Sequence, residues 1–313
     1  MKKDLTGIAD LSRDEILGLL ESARRLRDEI RTRGSLSLTR AAVAALIFEK
    51  PSLRTRVTFE VALRQLGGAG IYLGPQEIGL GTRESVPDVA RNLSRWVDCI
   101  IARVFEHEKI IQLARNASVP VINALSDYEH PCQVLADILT ILDHQGRLEG
   151  TTIAWTGDGN NVCHSLMLAC GLVGINLRVA TPKGFEPSRV VVEKSLEFAR
   201  KSGASIALTY DPVQAVKDAD FIYTDVWASM GQENEAEQRR QIFRPYQLNK
   251  ALLAQAKPGA KVLHCLPAHR GEEITDEVLD GPQSIVLDQA ENRLHAQRAL
   301  LAELLAKKQD YGP

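Results

Sequence analysis

The sequence AAVAALIFEKPSLRTR, residues 41–56, joins an unbroken apolar run to a turn rich in hydroxyl and guanidinium groups. The run Ala41–Phe48 has the length and composition of a strand buried on both faces. Residues Val57–Leu66 then follow with helical spacing, and the pair Gly67-Gly68 predicts where that helix ends. A strand followed directly by a helix is typical of a parallel sheet covered by helices.

The turn Ser52–Arg56 is a candidate anion site. The first turn of a helix has free backbone N–H groups and a partial positive charge. Arginine adds a planar fork that pairs with phosphate or carboxylate oxygens. The turn lacks the glycines of a nucleotide-binding loop, so it predicts a site for a small dianion. An ordinary helix start with surface arginines fits this segment equally well.

Strand-like and helix-like segments alternate along the rest of the chain in two series, which predicts an α/β protein with two doubly wound parallel-sheet domains. The predicted strands are Val43–Phe48, Gly70–Leu73, Cys99–Arg103, Val119–Asn123, Thr152–Thr156, Asn176–Ala180, Ser205–Leu208, Phe221–Thr224 and Lys261–Cys265. The predicted domains are residues 1–145 with 291–313, and residues 150–288. Helices at Pro131–His144 and Glu291–Lys307 are expected to join them, with the active site in the cleft between the domains.

Composition excludes several classes of protein. The 313 residues are 44% hydrophobic and 25% charged with a formal net charge of -2, which disfavours nucleic acid and anionic membranes as partners. No apolar run approaches the length of a membrane span, and Met1–Asp4 leads into an amphipathic helix rather than a signal peptide. The five cysteines are scattered without C-x-x-C spacing, which predicts reduced thiols in a cytoplasmic protein without a structural zinc ion.

Polar and reactive side chains recur directly after the predicted strands. Because ligands of open parallel sheets bind at the carboxyl ends of the strands, these residues predict one site. Beyond the Ser52 turn, the candidates are Arg103, His130 with Gln133, the turn Gly157–Asn161, Asp225–Gly231 and His264–Pro267.

His130 precedes Pro131, which suits the first turn of a helix. Nearby arginines would lower its pKa and leave a neutral imidazole that can polarise a carbonyl group. Gln133, one helical turn later, could contact the same ligand. A histidine that only caps the helix is the competing interpretation.

The later candidates allow two interpretations each. Gly157–Asn161 is not a dinucleotide fingerprint, because Val162 occupies the third glycine position and no acidic ribose partner follows Ala180. Its asparagines are either turn residues or substrate contacts. Asp225 is either an anchor for an ammonium group or a capping residue. Cys265 is expected to contact a ligand rather than act as a nucleophile, since the His264 side chain should point to the opposite face of the strand.

Four motifs together resemble the aspartate/ornithine carbamoyltransferase superfamily, and its ornithine branch most closely, over essentially the full length. Ser52–Arg56 is similar to the Ser-Thr-Arg-Thr-Arg carbamoyl-phosphate loop, and His130–Gln133 to the His-Pro-x-Gln motif. Ser229-Met230-Gly231 and His264–Pro267 resemble the ornithine versions of two further motifs. The resemblance implies a transferase that makes L-citrulline and phosphate from carbamoyl phosphate and L-ornithine.

The resemblance also implies the role of each site residue. Carbamoyl phosphate would be bound by Ser52, Leu53, Arg54, Thr55, Arg103, His130, Gln133, Cys265, Leu266 and Arg293. Ornithine would be bound by Asn161, Asp225, Ser229 and Met230. The catalytic groups would be Arg54, Arg103, His130 and Cys265.

This sequence departs from the family pattern in two places. Leu53 replaces a threonine and leaves only its backbone N–H at that position. Gly79 stands about where many relatives have a polar residue, often glutamine, that reaches the neighbouring subunit's site. Gln76 is near Gly79 in sequence, but it is not assigned that role.

From the resemblance we further expect a homotrimer or a multiple of trimers, no metal ion, no organic cofactor, and a place in arginine biosynthesis in the cytoplasm. Close alternatives are a carbamoyltransferase for N-acetylornithine or putrescine, and a non-catalytic ligand-binding relative. The tripeptide Pro51-Ser52-Leu53 gives the acetylornithine alternative some support, whereas Ser229-Met230-Gly231 argues against it. A nucleotide-dependent oxidoreductase is the weakest alternative.

Overall fold

The computed structural model describes residues 1–36, 41–228 and 236–306. The chain divides into two compact units, Met1–Leu139 with Glu291–Pro313 (unit 1) and Thr140–Ala290 (unit 2). Residues 307–313, which the predicted first domain includes, lie outside the described part. The division falls inside two helices, Pro131–Gln145 and Val286–Ala306.

The elements alternate as expected for parallel sheets. The strands are β1 (Val43–Phe48), β2 (Ala69–Leu73), β3 (Cys99–Arg103), β4 (Val121–Leu125), β5 (Thr152–Thr156), β6 (Asn176–Ala180), β7 (Ile206–Thr209), β8 (Phe221–Thr224) and β9 (Lys261–His264). The helices are α1 (Arg13–Arg33), α2 (Leu53–Gln65), α3 (Pro75–Ile78), α4 (Val86–Leu93), α5 (His107–Asn116), α6 (Pro131–Gln145), α7 (Asn161–Val173), α8 (Arg189–Ser202), α9 (Pro212–Val216), α10 (Ala236–Phe243), α11 (Lys250–Leu253), α12 (Asp276–Leu279) and α13 (Val286–Ala306).

Unit 1 contains a four-stranded sheet in the order β2-β1-β3-β4, with all neighbouring strands parallel. The chain passes from β1 to β2 on one side and then returns to place β3 on the other side of β1, so the strand order reverses between β1 and β3. Ligands of open parallel sheets bind at such a switch point. Phe48 at the end of β1 lies beside Arg103 at the end of β3, so the Ser52 turn and Arg103 leave the sheet at the same edge.

Unit 2 contains a five-stranded parallel sheet in the order β7-β6-β5-β8-β9. Its switch point lies between β5 and β8. The Gly157–Asn161 turn follows β5 and Asp225 follows β8, so both reach the edge at which this fold binds ligands. A cluster of buried apolar side chains covers one face of the sheet, among them Ala154, Ile222 and Val262.

The two parallel α/β sheets confirm the predicted fold class, and five strands have the predicted bounds. Helix α2 begins at Leu53, earlier than the predicted Val57, because the extended Ser52 caps it: Ser52 Oγ accepts from Thr55 N at 3.3 Å. The helix ends at Gln65, and Gly68 then lets the chain turn back to β2, since a Cβ there would lie 2.3 Å from Ala42 O.

The sequence predicts no membrane span and reduced thiols. In the described ranges, no helix combines the length and the apolar character required to cross a bilayer. The five cysteines, all within the described ranges, form no disulfide bond, and four of them are buried.

Candidate active site

Thr55 is contacted by two of the predicted cationic side chains in unit 1. Its buried Oγ1 accepts from Arg293 Nη2 at 3.2 Å and from Arg103 Nη1 at 3.5 Å. Arg103 ends β3, whereas Arg293 lies on α13. Two guanidiniums from distant parts of the sequence are therefore brought to the first turn of α2, at the switch point of the sheet.

Gln133 extends this group of side chains. Its Oε1 accepts from Arg293 Nη1 at 2.6 Å, and its Nε2 donates to Asp137 Oδ1 at 2.8 Å. All three side chains are buried. Asp137 places a buried carboxyl group beside the predicted site, and sequence reasoning did not single it out.

His130 lies directly before α6 and is buried. Burial lowers the pKa of its imidazole well below the ordinary value, and the positive charges of Arg293, Arg103 and Arg54 lower it further. The imidazole is therefore neutral at pH 7 and retains one N–H that can donate a hydrogen bond. The sequence predicted the effect of the arginines, while burial is the larger cause.

The remaining residues of the Ser52 turn are placed differently from one another. Ser52 caps α2, and Arg54 is partly buried. Leu53 leaves 75% of its surface exposed, so it fills no apolar pocket in unit 1. Arg56, which is not among the predicted site residues, lies over the Tyr72 ring at 3.8 Å and donates to Glu60 at 2.9 Å.

In unit 2, Asp225 is the centre of a second polar group. The buried carboxylate accepts from Asn160 Nδ2 at 2.8 Å and from Cys265 Sγ at 2.9 Å. Asn160 also caps α7, because its Oδ1 accepts from Val162 N and Cys163 N. Residues that follow the carboxyl ends of β5, β8 and β9 therefore lie together around the Asp225 carboxylate.

The other predicted ornithine contacts are only partly described. Asn161 is the first residue of α7, is partly buried, and accepts from Val162 N through its Oδ1 at 3.0 Å. Ser229 and Met230 lie outside the described residues.

An ion pair that sequence reasoning missed lies beside Asp225. Asp158 Oδ2 contacts Arg239 Nη1 at 2.9 Å, and the same nitrogen donates to Trp227 O at 2.8 Å. Burial raises the pKa of the Asp158 carboxyl to about 6, although Arg239 opposes that shift. Asp158 belongs to the Gly157–Asn161 turn that the sequence analysis considered, but no local sequence pattern connects it to Arg239 on α10.

His264 does not lie across the strand from Cys265, so that expectation was wrong. Strand β9 ends at His264, and the alternation of side chains stops there. One potential ligand atom from each of Asp225, His264 and Cys265 lies within 4.8 Å of the other two, a spacing that could hold a metal ion.

Both ring nitrogens of His264 already have partners. Its Nδ1 accepts from Leu266 N at 2.9 Å, so the proton is on Nε2, which lies 3.1 Å from the buried Glu273 carboxylate. His264 is therefore not placed to take a proton from Cys265. Leu266 itself has a φ of 58°, in the left-handed region that non-glycine residues rarely adopt.

Comparisons with known proteins agree over nearly the whole chain. Residues 3–143 match the carbamoyl-P binding domain of the aspartate/ornithine carbamoyltransferase family, and residues 149–304 match its Asp/Orn binding domain. The ornithine carbamoyltransferase of Thermococcus kodakarensis is 53% identical over 300 residues, which are 96% of this chain and 95% of that protein. An anabolic ornithine carbamoyltransferase of Pyrococcus furiosus has the same identity and coverage.

Solved structures give the same result. The ornithine carbamoyltransferase from Pyrococcus furiosus superposes with a TM-score of 0.92 at 53% identity, covering 96% of each chain. The anabolic enzyme from Campylobacter jejuni superposes with a TM-score of 0.91 at 36% identity, covering 99% of this chain and 100% of that one. By sequence and by structure, this chain belongs to the aspartate/ornithine carbamoyltransferase family.

Proposed function

We propose that this chain transfers the carbamoyl group of carbamoyl phosphate to the side-chain amine of L-ornithine, releasing L-citrulline and phosphate. The observation that carries the proposal is the group of three arginine side chains whose charges act on one buried, neutral histidine in unit 1. The names of the relatives supply the identity of the acceptor, since the similar proteins are ornithine carbamoyltransferases.

Unit 1 holds the donor. Arg54, Arg103 and Arg293 neutralise the phosphate group, which gains negative charge as it leaves, while Ser52, Thr55 and the Leu53 N–H donate to its oxygens. His130 donates through its neutral ring to the carbonyl oxygen, on which charge develops during attack. A well-placed donor of this kind contributes about 3–4 kcal/mol to transition-state stabilisation.

Unit 2 holds the acceptor. Asn161, Asp225, Ser229 and Met230 are its proposed ligands, with Asp225 fixing the amino-acid end of ornithine. The attacking nitrogen must be uncharged, whereas an alkylammonium has a pKa near ~10.4, so the site must favour loss of its proton. Cys265 lies beside that amine, and the Leu266 carbonyl accepts from the carbamoyl nitrogen. The amine attacks the carbonyl carbon, the C–O bond to phosphate breaks, and the proton that leaves the nitrogen ends on the departing phosphate.

The reaction requires no metal ion or organic cofactor, because the activated bond arrives with the substrate. The side chains of Asp225, His264 and Cys265 therefore act as hydrogen-bonding groups, and the proposed reaction does not need them as metal ligands. The two anabolic relatives support a role in arginine biosynthesis, and we place the enzyme in the cytoplasm.

We further propose a homotrimer or a multiple of trimers. In unit 1, β2 is an edge strand whose Ile71 is 50% exposed, and Trp96 nearby is 72% exposed. These side chains line one surface pocket with Leu73 and Leu93. Exposed large apolar side chains at a sheet edge favour burial against a second copy of the chain.

The decisive experiment is a colorimetric assay of the ureido product, formed by the purified protein from carbamoyl phosphate and each of three amines, namely L-ornithine, N-acetyl-L-ornithine and putrescine. We expect turnover with L-ornithine and kcat/KM at least about a hundredfold lower for the other two, because a site built for a polar group rejects analogues that lack it or block it. Preference for another amine would replace the proposed acceptor. Carbamoyl phosphate binding without any turnover would indicate a non-catalytic relative.

A further inference from the structure

The side chain of Glu49 connects the end of β1 to the segment that follows β3. Glu49 directly follows β1, three residues before Ser52, and its Oε2 accepts from Phe105 N at 2.8 Å. Phe105 lies two residues after Arg103, the last residue of β3. The Glu49 N–H also donates to Arg103 O at 2.9 Å. The turn that carries Ser52 and the strand end that carries Arg103 are therefore joined by a backbone hydrogen bond and by a carboxylate.

Phe105 also reaches the loop that carries His130. Its carbonyl oxygen accepts from Asp127 N at 2.8 Å, and Asp127 lies between β4 and His130. The Asp127 carboxylate accepts in turn from His107 N at 2.9 Å, at the start of α5. The N–H and C=O groups of Phe105 thus contact the segments that follow β1 and β4. One residue therefore lies between the three parts of the proposed donor site, which are the Ser52 turn, the end of β3 and the His130 loop.

Lys109 orients the Glu49 carboxylate. Its Nζ donates to Glu49 Oε1 at 2.7 Å, while the other carboxylate oxygen faces Phe105 N. The side chains of Lys109 and Glu49 keep only 18% and 11% of their surface exposed. Lys109 belongs to α5, whose buried Ile110 and Leu113 pack into the apolar core of unit 1. The ion pair therefore ties the carboxylate to a helix that is itself held by the core.

We propose that Glu49, oriented by Lys109, is a positioning residue for the donor site, and that it sets the spacing of the Ser52 turn, Arg103 and His130 through Phe105. This inference rests on the proposed function for the identity of the ligand, carbamoyl phosphate. It assigns to Glu49 and Lys109 an indirect role, since neither is a proposed ligand contact. Such support matters because a displacement of about 1 Å in groups that hold a reacting ligand can lower a rate about a hundredfold.

The negative charge of Glu49 makes the sign of its effect informative. Loss of a carboxylate near an anion site strengthens anion binding through space, whereas loss of a positioning residue weakens it. Glu49→Ala should raise the Kd for carbamoyl phosphate and for inorganic phosphate about tenfold, and it should lower kcat. The KM for ornithine should stay within a factor of about two at saturating carbamoyl phosphate, because the proposed ornithine ligands belong to unit 2.

Glu49→Gln tests the hydrogen bond to Phe105 separately from the ion pair. The amide oxygen can still accept from Phe105 N, although the charged partner of Lys109 is lost. This variant should recover most of the affinity that Glu49→Ala loses, with a Kd within about threefold of the parent value. Recovery by a neutral acceptor is the result expected of a positioning role.

Lys109→Met separates two possible actions of the lysine. If Lys109 attracted the ligand by its own charge, its loss would weaken phosphate binding whether or not Glu49 is present. If it acts through Glu49, its loss should raise the Kd about threefold in the parent and leave it unchanged in Glu49→Ala. The double variant Glu49→Ala with Lys109→Met should therefore bind phosphate as Glu49→Ala does.

Unit 2 offers a matched control. Asp220 Oδ2 accepts from Thr152 N at 2.8 Å, and Asp220 Oδ1 accepts from Lys257 Nζ at 2.7 Å. This carboxylate makes the same two kinds of contact as Glu49, but it lies where β5 and β8 begin rather than where strands end. Asp220→Ala and Lys257→Met should therefore lower the melting temperature without changing the Kd for phosphate, kcat or the KM for ornithine.

Calorimetry with carbamoyl phosphate and with inorganic phosphate measures binding without turnover, and thermal melting monitors the fold. A raised Kd in Glu49→Ala that glutamine restores would support the proposal. An unchanged or lowered Kd in Glu49→Ala, or an equal rise in Asp220→Ala, would overturn it. If Glu49→Ala does not fold, Glu49→Asp decides, because it keeps the charge but shortens the reach to Phe105: a raised Kd supports the role, and the parent Kd refutes it. If the parent makes no citrulline, the proposed function fails, whereas the phosphate titrations still decide the role of Glu49.

Discussion

At the scale of single residues, the environment of His130 has a consequence for acid stability. Its pKa is lowered in the folded state, chiefly by burial and then by Arg293, Arg103 and Arg54, while the ordinary value is 6.5. Above pH 6.5 the ring is neutral in both the folded and the unfolded state, so it adds no pH dependence to the unfolding free energy. Below pH 6.5 the unfolded chain takes up the proton first, so stability falls as the pH falls, by at most about 1.4 kcal/mol per pH unit.

We expect His130→Gln to remove this contribution. Denaturant unfolding at pH 7.5 and pH 5.5 should give a smaller loss of unfolding free energy for the variant than for the parent. The same exchange at His269, which is half exposed, serves as the control. A parent and a His130→Gln variant with identical pH dependence would show that the imidazole is not kept neutral by its surroundings.

The proposed role of Asp225 also belongs to this scale. Asp225→Asn keeps the volume but removes the charge that would attract the ammonium of ornithine, so KM for ornithine should rise about tenfold or more. The Kd for carbamoyl phosphate should change by less than about twofold, because its proposed anion-binding groups lie in unit 1. Initial-rate kinetics and calorimetry measure the two quantities. Equal weakening of both ligands would remove the assigned role.

Asp211→Asn is the matched control, since Asp211 caps α9 and asparagine caps as well as aspartate does. Neither KM nor Kd should change in it.

Individual side chains could be predicted where they follow a strand in sequence. His130, Arg103 and Asp225 were singled out from that pattern before any resemblance was considered. Arg239 could not be found in this way, because its partner Asp158 lies far away in the chain. The bond between Arg293 and Thr55 spans 238 positions, and no local pattern reports it. Arg293 entered the predicted site only through the family resemblance.

At the scale of secondary-structure elements, Asn160 makes two kinds of hydrogen bond that a substitution can separate. Its Oδ1 caps α7, and its Nδ2 donates to Asp225. Asn160→Ser should keep the cap and lose the donor, so the unfolding free energy should fall by no more than about 1 kcal/mol. KM for ornithine should rise severalfold at the same time. Chemical denaturation and initial rates measure the two effects.

Asn249→Ser provides the comparison, because Asn249 caps α11 through the same atom and has no contact with Asp225. The KM of Asn249→Ser for ornithine should equal the KM of the parent protein. A normal KM in Asn160→Ser would mean that Asp225 is oriented without Asn160.

Element boundaries were predicted best where burial is continuous. β1, β3, β5 and β8 match their predicted bounds because central parallel strands are largely apolar and buried. β6 also matches, although it carries the half-buried Asn176 and Arg178. The short helices α3, α11 and α12 were not predicted, since one turn of helix leaves no periodic pattern. Helix α13 begins at Val286 rather than Glu291, because its first turn shows no clear start signal in the sequence.

At the scale of the whole molecule, the alternation of strands and helices predicted two parallel sheets, and the structure confirms them. It did not predict the order of strands within each sheet. That order arises from pairings between segments such as β5 and β8, which lie far apart in the chain. The positions of both switch points, and hence of both candidate binding edges, follow from the order.

Assembly is the prediction that belongs to the whole chain. Light scattering after gel filtration should give about 104 kDa, three times the 34.5 kDa of one chain, or a multiple of it. Trp96→Glu should lower that mass, because it places a charge on the exposed apolar surface of unit 1. Leu287→Glu, at an equally exposed position on α13, should not. A parent protein that remains a monomer at micromolar concentration would contradict the proposed trimer.

The formation of citrulline tests the central claim most directly. Purified protein incubated with carbamoyl phosphate and L-ornithine should release citrulline and phosphate in equal amounts. Arg54→Ala should reduce kcat/KM by about a hundredfold or more while the melting temperature is preserved, because the lost donor stabilises the leaving phosphate rather than the fold. No citrulline from a folded parent protein that binds both substrates, or full activity in Arg54→Ala, would contradict the account.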